Sequence, residues 1–251
     1  MSTWILLRGL TREKRHWQGF PEQLARELPD AQVVELELPG NGELNGLTSP
    51  STIAAMAWHC RAELAGLGLP PPYHLLAMSM GAMVATAWAA DHPGEIEACV
   101  LINTSFGAFS PVHRRLRPRA WVALLRVLLT RSERSREALI FDLTSRLADP
   151  PAPVVDEWVA IRRSRPVDPR NAFRQLLAAA RFRAPQNPPA RTLILASAGD
   201  RLVDPRCSED IARRWRCAFA IHPAAGHDLP LDDGAWVAKE VHHWLTGSGP
   251  A

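Results

Sequence analysis

The stretch 75-LLAMSMGAMVATAWAADHP-93 decides the fold. Its apolar start reads as a buried strand and its alanine-rich continuation as a helix, with Met78-Ser79-Met80 forming the turn between them. A serine at so tight a turn sits in a strained backbone, and its neighbours two residues away must be small for strand and helix to approach. Ala77 and Gly81 meet that need. The turn leaves the hydroxyl exposed at a helix N-terminus, where the dipole and free N–H groups favour developing negative charge. A buried serine in an ordinary strand–helix turn is the plainer alternative, and the partners of Ser79 decide between the two.

Working outward, short apolar runs recur at 4-WILLR-8, 32-QVVELEL-38, 73-YHLLAM-78, 99-CVLIN-103, 192-TLILAS-197 and 217-CAFAIH-222. Continuous apolar strands of this kind belong to a parallel sheet covered on both faces. Between them lie amphipathic patterns, such as Ile53, Met56, Cys60, Leu64 and Leu67, and again Val237, Val241, Trp244 and Leu245. Alternating strands and helices predict an α/β protein with a doubly wound, mainly parallel sheet of about six strands.

The rhythm breaks after Asn103. Almost ninety residues without a convincing strand carry helix-like pieces around 118–130, 132–147, 153–164 and 170–182, punctuated by 150-PPAP-153, Pro185, Pro188 and Pro189. This predicts a core of residues 1–105 and 191–251 with a helical cap inserted at 106–190, over the carboxyl edge of the sheet.

A serine hydroxyl is a weak nucleophile without a base, and the base needs an orienting carboxylate. Asp200, in 198-AGDRLVDP-205, and His227, in 223-PAAGHDLPLDD-233, each fall just past the end of a strand. Ser79, Asp200 and His227 are therefore the candidate catalytic triad. Asp204 reads instead as a loop or helix-capping residue beside Pro205, and His222 as part of its strand. Asp228 adjoins the candidate base but is expected to point elsewhere. His16, His59, His74, His92 and the His242-His243 pair lack a comparable placement.

The segments 4-WILLRGLTREKRHW-17, 36-LELPGNG-42, 77-AMSMG-81, 197-SAGDRLVDP-205 and 225-AGHDLP-230 resemble the α/β-hydrolase superfamily. They are most similar to its small capped carboxylesterases, such as the pimeloyl-carrier-protein methyl ester esterases. The resemblance covers most of the chain outside the cap. It implies a serine ester hydrolase, with the backbone N–H groups of Leu10 and Met80 as an oxyanion hole worth roughly 3 kcal/mol per donor. Thioester or C–C bond hydrolysis on the same scaffold is an alternative, as is a non-catalytic ligand-binding homologue.

One departure stands out: Arg8 occupies the place of the family's usual histidine. Its guanidinium could support the loop by bonding nearby carbonyls, contact an anionic substrate group, or mark a damaged hole. With the first apolar run at 4-WILLR-8, the antiparallel hairpin that often precedes the first strand is not expected.

Between residues 106 and 190 there are sixteen arginines and seven acids, while the whole chain carries only +3. Arg114, Arg115, Arg117 and Arg119 cluster, as do Arg131, Arg134 and Arg136, and Arg162, Arg163 and Arg165. They are either solvated helix faces or a landing surface for an anionic ester or an acidic partner. The resemblance suggests an acidic acyl carrier protein for that partner. Phe106, Phe109, Trp121, Phe141, Trp158, Phe173 and Phe182 are expected mostly in the cap core, with some lining an acyl pocket.

No metal or organic cofactor is implied, and the basic stretch carries no nucleic-acid motif. The scattered cysteines Cys60, Cys99, Cys207 and Cys217 suit a reducing compartment. With no signal sequence or apolar span in the pattern, the expectation is a cytoplasmic protein with no membrane partner.

Overall fold

The computed structural model describes residues 2–149 and 151–247. The outermost ends of the expected core, at residues 1 and 248–251, and Pro150 of the proline-rich break lie outside the described residues.

Six strands form one sheet in the order β2-β1-β3-β4-β5-β6. They are β1 (Ser2–Leu7), β2 (Ala31–Leu36), β3 (Tyr73–Met78), β4 (Ile96–Ile102), β5 (Arg191–Ser197) and β6 (Ala218–His222). Every pair is parallel. The central strands are apolar along their length because both of their faces are buried. Alternate residues feed two separate cores. Ile5, Leu7, Leu75, Ala77, Cys99 and Leu101 face one core, joined by α2 (Ile53–Gly66), α3 (Met80–Asp91) and α9 (Arg206–Trp215). Trp4, Leu6, Leu76, Met78, Val100 and Ile102 face the other, joined by α1 (Phe20–Glu27) and α10 (Leu229–Thr246).

Helix α3 is buried from Met80 to Ala89. Its alanines let it lie close against the sheet. Helix α10 begins earlier than its apolar stripe suggested, with Pro230 in its first turn and a kink at Asp233. Its start therefore follows directly on His227-Asp228.

The segment between β4 and β5, called the cap below, carries α4 (Val112–Arg115), α5 (Pro118–Leu129), α6 (Glu133–Thr144), α7 (Pro151–Ser164) and α8 (Pro169–Arg181). Pro151 and Pro153 do not break the chain ahead of α7 but lie in its first turn, where a missing N–H costs nothing.

Candidate active site

Strand β3 ends at Met78, and Ser79 turns the chain into α3 with φ 55° and ψ −118°. A non-glycine residue rarely adopts this left-handed conformation, and here the surroundings enforce it. The Ser79 amide donates to Ile102 O at 2.9 Å, and Thr104 Oγ1 donates to Ser79 O at 2.9 Å. The first turn of α3 lies against the end of β1. A Cβ on Gly81 would stand 2.4 Å from Leu7 O and 2.5 Å from Arg8 O. Ser79 itself is half-exposed among buried neighbours. Its hydroxyl makes no hydrogen bond to another described residue, His227 included.

Asp200 and His227 come together. Asp200 Oδ2 lies 2.7 Å from His227 Nδ1, with both side chains buried. The other oxygen, Oδ1, accepts from the amides of Leu202 at 2.7 Å and Val203 at 2.9 Å. These contacts fix the carboxylate, and because it only accepts, the proton between it and the ring belongs to Nδ1; in the neutral tautomer that this selects, Nε2 is the acceptor. The loops bearing the pair are pegged by Asn103, at the end of β4. Asn103 Oδ1 accepts from Ser197 N at 2.9 Å, and Nδ2 faces Ser197 Oγ at 2.9 Å, His227 O at 2.8 Å and Gly226 O at 3.3 Å. Asn103 and Thr104 thus link the Ser79 turn to the His227 loop through consecutive residues.

Leu10 lies in the turn after β1, and Met80 is the first residue of α3. Neither amide has an acceptor among the described residues. For Met80 this follows from its position, because first-turn helical amides have no intrahelical partner.

Arg8 is buried and bonds to a carboxylate, not to the loop carbonyls expected of it. NH1 meets Asp228 Oδ1 at 3.0 Å and NH2 meets Oδ2 at 2.5 Å, a two-pronged fork. NH1 also approaches Met78 Sδ at 3.4 Å, and the guanidinium lies 4.7 Å from the centre of the Trp17 ring. Asp228 turns away from the His227 ring toward this arginine. Arg8 is therefore committed inside the protein, and the turn after β1 is ion-paired to the residue that follows His227.

Four polar tethers bind the cap to the loops around Ser79. Asp232 of α10 accepts from Gly226 N at 2.6 Å, from the amides of Arg146, Leu147 and Ala148, and from Ser145 Oγ. Arg117 donates to Asp200 O at 2.6 Å through NH1, and its amide bonds to Leu202 O. Fully buried Glu137 of α6 accepts from Arg12 NH1 at 3.2 Å and from Arg162 Nε. Arg12 in turn stacks 4.0 Å over Trp158. Gln175 of α8 accepts from Thr11 N at 2.9 Å and donates to Asn41 Oδ1 at 2.8 Å. Nearby, burial and the Arg12 and Arg8 charges push the His16 imidazole well below its ordinary pKa, so it stays neutral.

The remaining expectations sort by contact. Asp204 bonds to Arg206 and its amide, which holds its carboxyl down at about 2. His222 accepts the Ala224 and Ala225 amides on Nδ1 and faces Asp233 with Nε2. Phe106, Phe109 and Phe182 cluster with Trp215. Trp121 and Phe173, expected in the cap core or a pocket wall, are exposed. Their apolar rings follow helical spacing, but no second layer covers those faces among the described residues. Arg114, Arg134, Arg162, Arg163 and Arg165 pair with acids of the same chain. Among the described residues no group of three or more His, Cys, Asp and Glu side chains could hold a metal ion. Nor is any helix there long and apolar enough to cross a membrane.

The sequence matches the Alpha/beta hydrolase family over residues 4–240. It is 30% identical over 105 residues to the Biotin biosynthesis bifunctional protein BioHC of Teredinibacter turnerae. That segment is 41% of this chain but spans only 17% of the relative. A thermophilic esterase from Thermogutta terrifontis superposes with a TM-score of 0.72 at 21% identity, covering 100% of this chain and 91% of that one. The 2-hydroxy-6-oxo-6-phenylhexa-2,4-dienoate hydrolase of a Rhodococcus species gives 0.76 at 19%, covering 98% and 90%. The enol-lactonase of Burkholderia xenovorans gives 0.72 at 17%, covering 98% and 91%. At these identities the structural likeness speaks to the fold alone, and different named substrates share it. The sequence match runs from β1 into α10, taking in the Ser79 turn and both loops of the Asp200–His227 pair, and the chain belongs to the alpha/beta hydrolase family.

Proposed function

We propose that the protein hydrolyses carboxylic esters through an acyl-enzyme formed on Ser79. In this reading His227 Nε2 takes the Ser79 proton as Oγ attacks the ester carbonyl. The Leu10 and Met80 amides hold the oxyanion, and Asp200 stabilises the imidazolium without taking its proton. His227 then protonates the departing alcohol. A water deprotonated by the same imidazole attacks the acyl carbonyl and releases the acid, restoring the Ser79 hydroxyl.

The observation that carries this reading is the buried 2.7 Å contact between His227 and Asp200, on loops that Asn103 and Thr104 link to the strained, half-exposed Ser79 turn. The missing Ser79–His227 bond does not count against it, because such contacts are often loose without substrate and tighten around it. Cys60, Cys99, Cys207 and Cys217 form no disulfide, which supports the cytoplasmic setting we propose. BioHC is named for biotin biosynthesis, and the motif resemblance to pimeloyl-carrier-protein methyl ester esterases suggests an acyl group delivered on an acidic carrier protein as one substrate.

A fluorophosphonate probe tests the nucleophile. Labelling is expected at Ser79 alone, and Ser79→Ala should lower turnover of short p-nitrophenyl esters by at least about a thousandfold. Full turnover by the alanine variant, or labelling at another serine, overturns the assignment.

A further inference from the structure

Helix α5 (Pro118–Leu129) has an apolar face that no other described residue covers. Ala120 is buried, and Ala123, Leu124 and Val127 are half-buried on the side that packs against α6. Trp121, Val122, Leu125, Leu128 and Leu129 are instead 55, 56, 55, 77 and 73% exposed. At about 100° of turn per residue they fall within one arc of roughly 120°. Arg119 and Arg126, seven positions apart, run along one edge of that arc, and Arg131 stands just past its end.

The charges distinguish this face from the rest of the cap. Unlike the arginines paired with Asp210, Asp156, Glu137, Glu133 and Glu43, the side chains of Arg119, Arg126 and Arg131 have no partner among the described residues. From Gly107 to Ser132 the sequence contains no acid, and Glu133, which follows, is engaged by Arg163. A second copy of the chain meeting this face would bring more arginines to the seam and, from residues 107–132, no acid to pair with them. An acidic protein would answer the arginines but leave five large apolar side chains to be matched. A surface that is anionic outside and hydrocarbon within answers both at once.

We propose that α5 docks the protein on an anionic lipid surface, with the Trp121–Leu129 stripe entering the headgroup–acyl boundary and Arg119, Arg126 and Arg131 facing the headgroups. A helix of twelve residues does not span a bilayer, so this docking is peripheral. It would hold the site close to the lipid, because Arg117, which caps α5, donates to the carbonyl of Asp200.

The test is flotation of the full chain with vesicles of phosphatidylcholine alone or mixed with phosphatidylglycerol. Binding is expected only to the mixed vesicles. It should fall more than tenfold in Leu125→Gln/Leu128→Gln/Leu129→Gln. In Arg119→Ser/Arg126→Ser it should fall roughly fivefold per arginine removed, the equivalent of ~1 kcal/mol per basic residue near an anionic surface. All substituted side chains are exposed, so melting temperature and turnover of water-soluble esters should be unchanged. Lipids brominated in the acyl chain should quench emission that Trp121→Phe lacks. No flotation with phosphatidylglycerol, or equal flotation without it, overturns the proposal. So does polyglutamate binding insensitive to the leucine substitutions, which marks a face for an acidic protein. A dimer in sedimentation velocity that the leucine substitutions dissolve assigns the face to self-association instead.

Discussion

Replacing Arg8 by methionine tests whether the Arg8–Asp228 pair holds the site together. The two side chains are 3% and 4% exposed, so removing the guanidinium strands a buried carboxylate beside His227. Breaking such a pair from one side costs about 3–5 kcal/mol. For a chain of this size each kcal/mol moves the melting temperature by about 2–4 °C, so Arg8→Met should melt roughly 6–20 °C lower. The double variant Arg8→Met/Asp228→Leu should recover most of that loss. It leaves no orphan charge, its new side chains meet Met78 and Trp17, and the Asp228 backbone bond to Thr144 O is kept. Calorimetry of the four proteins closes a double-mutant cycle, with an expected coupling of at least about 2 kcal/mol. Turnover of a short p-nitrophenyl ester should follow the same pattern, because the pair ties the Leu10 turn to the His227 loop. If Arg8→Met melts within about 1 °C of the parent, or the two single losses simply add, the pair is not the tie described here.

Asn103→Ala removes the peg on the His227 carbonyl while leaving every candidate catalytic group in place. It should lower kcat by about tenfold with little change in KM, and an unchanged kcat would reject a positioning role. Gly81→Ala places a Cβ within 2.5 Å of two carbonyl oxygens of the β1 turn and should destabilise by about 2–4 kcal/mol in urea titration. Gly94→Ala, which meets nothing within 4 Å, is the neutral control. Burial, reinforced by Glu13, raises the Glu37 carboxyl to about 7. Because its pKa rises on folding, the protonated acid is favoured in the fold, and that advantage is lost as pH climbs through 7. Glu37→Gln should therefore gain up to about 3 kcal/mol at pH 9 and almost nothing at pH 4, read from melting curves; equal shifts at both would refute it.

The strands were legible because their residues alternate between two cores, as Trp4 and Leu6 do against Ile5 and Leu7. Helix α1 escaped because 20-FPEQLARE-27 buries only Phe20 and Leu24, too few for a visible stripe. Asp200 and His227 could be read from their places after β5 and β6. Asn103 and Asp232 could not, since their partners are mostly backbone groups of distant segments and such bonds leave no local pattern. The one signal at Asn103 was an asparagine closing a strand, a residue that tolerates the positive φ of 46° it adopts. Arg8 and Asp228 are 220 positions apart. Each stands out in the sequence, but only the fold shows that they answer one another.

The tethers explain why the cap should act on the chemistry as well as on access. Glu137 and Gln175 hold the β1 turn through Arg12 and Thr11, Arg117 holds the Asp200 loop, and Asp232 joins the α6 end to Gly226. Each bond reaches within a few residues of a group that the proposed acyl transfer needs placed to a fraction of an ångström. Glu137 is buried and charged and Gln175 buried and polar, so either tether cut from one side leaves an unsatisfied group that the neighbouring loop must move to relieve. Apolar packing between cap and core would slide under such a change, whereas directional bonds to backbone amides transmit it. Substitutions in α6 or α8 that never touch substrate should consequently appear in kcat, and those on the exposed face of α5 should not.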